Sequence, residues 1–140
     1  MKVTKPTKTK DITREWFLVD VKGKILGRSA TEIAQLLMGK SKPYFAKNMD
    51  CGDNVVVVNA KEIIVTGKKE KEKTYTRYSG YPGGLRTKTL EELRKSKPEE
   101  IIIHAVSGML PKNKLRDRML KRLFVFPEGE HKFGEKFIQK

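Results

Sequence analysis

Asn54-Val55-Val56-Val57-Val58-Asn59 decides the fold class. Four β-branched residues follow one another with no polar alternation. A strand with one wet face alternates; an unbroken apolar run predicts a strand buried on both faces, as in a parallel sheet. Upstream, Trp16–Val21 (WFLVDV) reads as another strand, closed by a Lys22-Gly23-Lys24 turn. Between the two strands lies a helical pattern. Ser29 is placed as N-cap with Glu32 three residues on, Ala30, Ile33, Ala34 and Leu37 share one face, and Gly39 is the stop. Downstream, Ile63-Ile64-Val65-Thr66 reads as a short strand. Strands alternating with helices predict an α/β domain with a largely parallel sheet.

The rest of the chain follows the same logic. Gly67–Lys73 is charged and Tyr75–Gly84 is glycine-rich, so residues 67–87 are expected to form one long loop of functional character. Thr89-x-x-Glu92 and Ser96-x-x-Glu99 are capping boxes, with Pro98 near the first turn of the second helix. Ile101, Ile102, Ala105, Val106 and Met109 form its apolar stripe, and Gly108 and Pro111 end it. Asn113–Leu123 is expected to be a basic amphipathic helix with Leu115, Met119, Leu120 and Leu123 inward and the cations outward. Leu123–Phe126 is a last strand. With no repeat and no linker, the reading is a flexible basic arm over residues 1–14, one domain over 15–126 and a polar tail over 127–140. Phe133, Phe137 and Ile138 are the tail's candidate anchors.

The 140 residues carry 31 Lys plus Arg against 17 Asp plus Glu, a net charge of +14. Such an excess repels itself unless a polyanion accompanies it. The charge lies in bands: Lys2 to Arg14 in the arm, Lys40, Lys42 and Lys47 around Pro43-Tyr44-Phe45, Lys61 to Lys73, and Lys112 to Arg122. Nucleic acid is the expected partner. A membrane surface is not, because no basic segment carries a broad apolar face with aromatic anchors. No stretch approaches the ~18–20 apolar residues that span a bilayer. The leading segment has no apolar core, so no secretory signal is expected. The single cysteine, Cys51, excludes an internal disulfide and a multi-cysteine metal site. A reducing cytosol is therefore expected.

Three segments are candidates for contact chemistry. Leu26-Gly27-Arg28-Ser29 precedes a helix, where free N–H groups and the dipole favour a phosphate and Arg28 adds a fork. It lacks the full glycine pattern of a nucleotide site, so a small nucleotide-binding α/β enzyme is only the alternative reading. Tyr75–Arg86 mixes aromatics for stacking on bases, arginines for phosphates and glycines for close approach. Met109–Arg122 (MLPKNKLRDRMLKR) places a row of cations interrupted only by Asp117. Catalysis is not expected. Cys51 would need a base, and His104 reads as a core or partly buried side chain. Asp50 and Asp53 read as turn or capping residues.

The same residues carry a family resemblance. WFLVD (16–20), GKILGRSATE (23–32), GKSKP (39–43), GDNVVVVN (52–59), NAKEIIVTG (59–67), GYPGG (80–84) and the stretch from Thr89 through MLPK (109–112) occur together, in this order. The chain thus resembles the bacterial large-subunit ribosomal protein thirteen family over residues 14–126. The resemblance implies a three-layer α/β/α fold with a parallel central sheet. It also implies ribosomal RNA binding and a role in early large-subunit assembly, in the cytoplasm. The implied partners are large-subunit RNA and neighbouring ribosomal proteins, with no cofactor, metal, membrane or small-molecule substrate. Taken with the charge bands, the expected RNA-binding residues are Arg28, Lys40, Lys42, Lys47, Arg77, Tyr78, Gly80, Gly83, Gly84 and Arg86. The basic helix adds Lys112, Lys114, Arg116, Arg118, Lys121 and Arg122.

Overall fold

The structure, a computed structural model, describes residues 6–137. Lys2 and Lys5 of the arm and Ile138 of the tail lie outside them. The valine run is strand β2 (Asn54–Val58), the middle of a three-stranded parallel sheet between β1 (Trp16–Asp20) and β5 (Leu123–Val125). Val55, Val56 and Val57 are fully buried. Val55 and Val57 join the main core with Val19, Leu123 and Val125. Val56 pairs with Phe124 on the opposite face. There Trp16 stacks on Phe124 at 5.8 Å, and Phe133 lies 4.6 Å from Phe124. Phe137 of the short helix Gly134–Phe137 meets Trp16 edge-on at 6.4 Å. Two of the tail's expected anchors thus do cover that face. The result is a mixed α/β fold around a parallel sheet.

Helix α1 (Leu26–Met38) buries Ala30, Ile33, Ala34 and Leu37 against the first face, as its periodicity requires. It starts earlier than the Ser29 capping box predicts. Ile25 forms a parallel bridge with Ile64, in which the Leu26 N–H donates to the Ile64 carbonyl at 2.9 Å, and the chain passes from the bridge straight into the helix. Ser29 is consequently inside the helix and buried, not a cap. The expected strand over 63–66 shrinks to that one bridge. The Lys61 and Ile63 carbonyls accept from Arg94 Nη1 at 2.9 and 2.8 Å, so a side chain takes up acceptors a ladder would use.

The 67–87 segment also departs from expectation. After the helical turn α2 (Lys69–Glu72) it folds into an antiparallel hairpin, β3 (Thr74–Tyr78) with β4 (Leu85–Thr89). Its glycines are confined to the tip. Both arms alternate Thr with large side chains, a period-two pattern suited to a pleat. Helix α3 (Leu90–Ser96) opens on the expected Thr89–Glu92 capping box. Helix α4 (Pro98–Met109) is capped by Lys97 rather than Ser96, whose hydroxyl instead donates back to the Leu93 carbonyl. Gly108 lies within α4, which runs on to Met109. The last helix, α5 (Leu115–Leu120), is shorter than predicted.

Candidate nucleic-acid interface

The loop over residues 39–53 links α1 to β2 and binds Arg122, just past the end of α5. Gly39 ends α1 in the left-handed conformation at φ 73°. A Cβ on Gly52 would stand 1.7 Å from the Leu37 carbonyl oxygen, so the loop reaches the helix end only through a glycine. Two ion pairs tie this junction together. Lys42 Nζ contacts Asp53 Oδ1 at 2.5 Å and donates to the Thr13 and Cys51 carbonyls at 2.7 and 3.0 Å. Arg122 clasps both carboxylate oxygens of Asp50 and donates to the Leu37 and Asp53 carbonyls, each at 3.3 Å. Burial pushes Asp50 up, but hydrogen bonding and charge from Arg122, then the charge of Arg14, outweigh it and hold the carboxyl below its ordinary value.

Two expectations change here. Lys42 and Arg122 point into the protein and bind protein oxygens, so Arg122 is an exception to the outward row of cations. Asp50 and Asp53 are the counter-charges of that junction rather than simple turn formers. Sequence spacing did not show either pair, since 72 residues separate Arg122 from Asp50. The described part of the arm lies along the same loop: the Thr7 hydroxyl donates to the Tyr44 carbonyl at 2.8 Å, and Arg14 reaches Asp50 at 3.5 Å.

The remaining cations of this region face outward. Lys112, Lys114, Arg118 and Lys121 are exposed and Arg116 is half-buried. Met119 turns the other way, into the core. Arg118 and Arg14 line a shared cleft of about 440 Å³ with Asn48. Lys40 and Lys47 are exposed on the loop, and Arg28 is exposed in the first turn of α1.

The hairpin presents two chemically different faces. Cross-strand pairs Tyr75–Lys88 and Arg77–Arg86 occupy one face, and Tyr78–Leu85 the other. Tyr78, Tyr81 and Leu85 are 64%, 75% and 62% exposed, unusual for side chains of this size. The tip closes with Gly84 N–H donating to the Tyr81 carbonyl at 2.9 Å. A Cβ on Gly84 would meet that same carbonyl oxygen at 2.9 Å and Ser79 Oγ at 1.9 Å. Gly84→Ala is therefore expected to open the tip while costing under about 1 kcal/mol overall, since no core group moves. Faster amide exchange confined to residues 79–85 checks this; an unchanged tip refutes it.

Arg94 ties the segment just before the hairpin to α3. Its guanidinium pairs with Glu70 at 2.7 Å and bonds the 61–63 turn, linking α2 to α3. His104, expected to be in the core or partly buried, is neither. It is exposed on α4, its ring 5.4 Å from that of Tyr75. Burial pushes the Tyr75 phenol above its ordinary value, opposed by Arg94. Cys51 is buried, its thiol beside the Tyr44 carbonyl at 4.0 Å. Lys88, Lys97 and His104 were not among the sequence candidates. Recognising the Thr alternation over 85–89 would have placed Lys88 on the face of Arg86.

A sequence model described as ribosomal protein L13 matches residues 14–132. The chain is 56% identical over 124 residues to the large ribosomal subunit protein uL13 of Clostridioides difficile, covering 89% of this chain and 87% of that protein. It is 54% identical over 131 residues to the uL13 of Oleidesulfovibrio alaskensis, covering 94% and 90%. It is 52% identical over 125 residues to the uL13 of Caldanaerobacter subterraneus, covering 89% and 87%.

Proposed function

The chain belongs to the ribosomal protein L13 family, and from that premise we propose how its surface meets RNA. It is a structural constituent of the large ribosomal subunit in the cytoplasmic ribosome, not an enzyme. The nucleotide-enzyme alternative falls with that membership. Its contacts with large-subunit RNA come from Arg28, Lys40 and Lys47, from the hairpin (Arg77, Tyr78, Gly80, Gly83, Gly84, Arg86), and from Lys112, Lys114, Arg116, Arg118 and Lys121. Lys42 and Arg122 act one step back, holding the loop and α5 in register. The cations release counterions from phosphates, and the narrow glycine tip enters where a helix would not fit. Neighbouring ribosomal proteins share the assembled surface, and binding takes place early in subunit assembly. In this reading the C-terminal aromatic segment is the second cover of the sheet, completing a three-layer plan.

One observation carries the reading. In a chain of net charge +14, none of these outward cations makes an ion pair among the described residues. Their counter-charge must come from outside. Affinity for a large-subunit RNA transcript is expected to fall on the order of a thousandfold between 50 and 200 mM salt, as about six phosphate contacts require. An affinity insensitive to salt would end the proposal.

A further inference from the structure

The cationic face of the hairpin is exposed, and it forms one wall of an open cleft. Arg77, Arg86 and Lys88 on the hairpin, with His104 and the Lys97–Glu100 ion pair (3.3 Å) on the α3–α4 side, line a space of about 450 Å³ that Tyr75 also borders, so the uncompensated positive charge lies on the hairpin wall. That volume falls within the ~300–1,000 Å³ of small-ligand sites. Arg77 and Arg86 stand directly opposite each other in the ladder, and like charges so placed repel. Neither they nor Lys88 has an acid partner among the described residues. An anion between the two guanidinium groups would remove the repulsion and bind each by its fork. In the same lining the exposed His104 ring, 5.4 Å from the Tyr75 ring and tilted 43° to it, offers an aromatic face. Phosphate forks beside an aromatic shelf suit a single nucleotide: charge at one end, a π-face at the other.

We propose that this cleft receives one unpaired nucleotide of the bound RNA, its phosphate between Arg77 and Arg86 and its base against His104. This rests on the RNA-binding reading above and extends it from surface neutralisation to a defined subsite. Duplex RNA keeps its bases stacked inside, so only an extruded nucleotide fits.

Adenosine 5′-monophosphate titrated into the full-length protein at low salt tests the site directly. Saturable shifts of the His104 and Tyr75 ring resonances are expected, abolished in His104→Ala. Inorganic phosphate is expected to move Arg77 and Arg86 side-chain signals without the rings. Nucleotide that perturbs the exposed face of α5 as strongly as the cleft overturns the proposal. In the transcript-binding assay His104→Ala is expected to weaken affinity about tenfold with the salt slope unchanged, because no phosphate contact is lost. Wild-type affinity in that variant also overturns the subsite and leaves the RNA-binding reading intact. Absence of RNA binding by the wild-type protein is the separate result that would remove the reading itself. His104 is exposed, so the alanine variant keeps the fold, and an unchanged amide spectrum checks that.

Discussion

Asp50→Ala lowers the free energy of unfolding by about 3 kcal/mol, roughly 10 °C in melting temperature for a domain of this size. Asp50 and Arg122 side chains are 11% and 12% exposed, so deleting the carboxylate leaves a guanidinium nearly out of water with only carbonyls for company. The loss is at the low end for a mostly buried pair because the Leu37 and Asp53 carbonyls remain. Replacing both members, Asp50→Ala with Arg122→Met, should recover part of the loss, since no stranded charge is left. The pH dependence has a definite sign. The Asp50 carboxyl is held below the ordinary carboxylate range, so its contribution is complete above about pH 5 and is lost as pH falls through the lowered folded-state value. The gap between wild type and Asp50→Ala should thus be flat near neutrality and close in acid. Chemical denaturation at a series of pH values measures both. A gap under 1 kcal/mol at pH 7 would contradict the role given to this pair.

Lys112, Lys114, Arg118 and Lys121 changed together to glutamine should leave the fold unaltered and cut RNA affinity at least a hundredfold at 0.1 M salt. All four are exposed and none pairs with an acid among the described residues, so no intramolecular contact is lost. Each phosphate contact removed takes about one unit from the slope of log affinity against log salt, so the slope should fall by about 4. Binding isotherms across a salt series provide the slope, and co-sedimentation with large ribosomal particles gives incorporation. Arg122 must be left out of such a set, because its loss would act through Asp50 and the loop. An unchanged slope would mean that α5 does not face phosphates.

The tip and the junction show how differently two parts of one surface can be read. The GYPGG tip and the cations of α5 were legible because local composition alone separates them from core elements. The hairpin arms were not. Their Thr alternation signals a strand, but the tip glycines averaged it away when the segment was read as one loop. His104 follows three consecutive isoleucines, but Ile101, Ile102 and Val106 are the side of α4 that faces inward, and His104 lies off that side.

By itself the sequence determined the parallel sheet, the α1 stripe, the capping box at Thr89 and the excess of positive charge, since each depends on neighbours a few residues apart. Tertiary structure alone decided which cations are taken up by the protein's own carboxylates. Lys42 and Arg122 look like their neighbours in sequence, yet the fold brings carboxylates from the 39–53 loop against them. Charge burial is set by distances through space, and no local pattern encodes those.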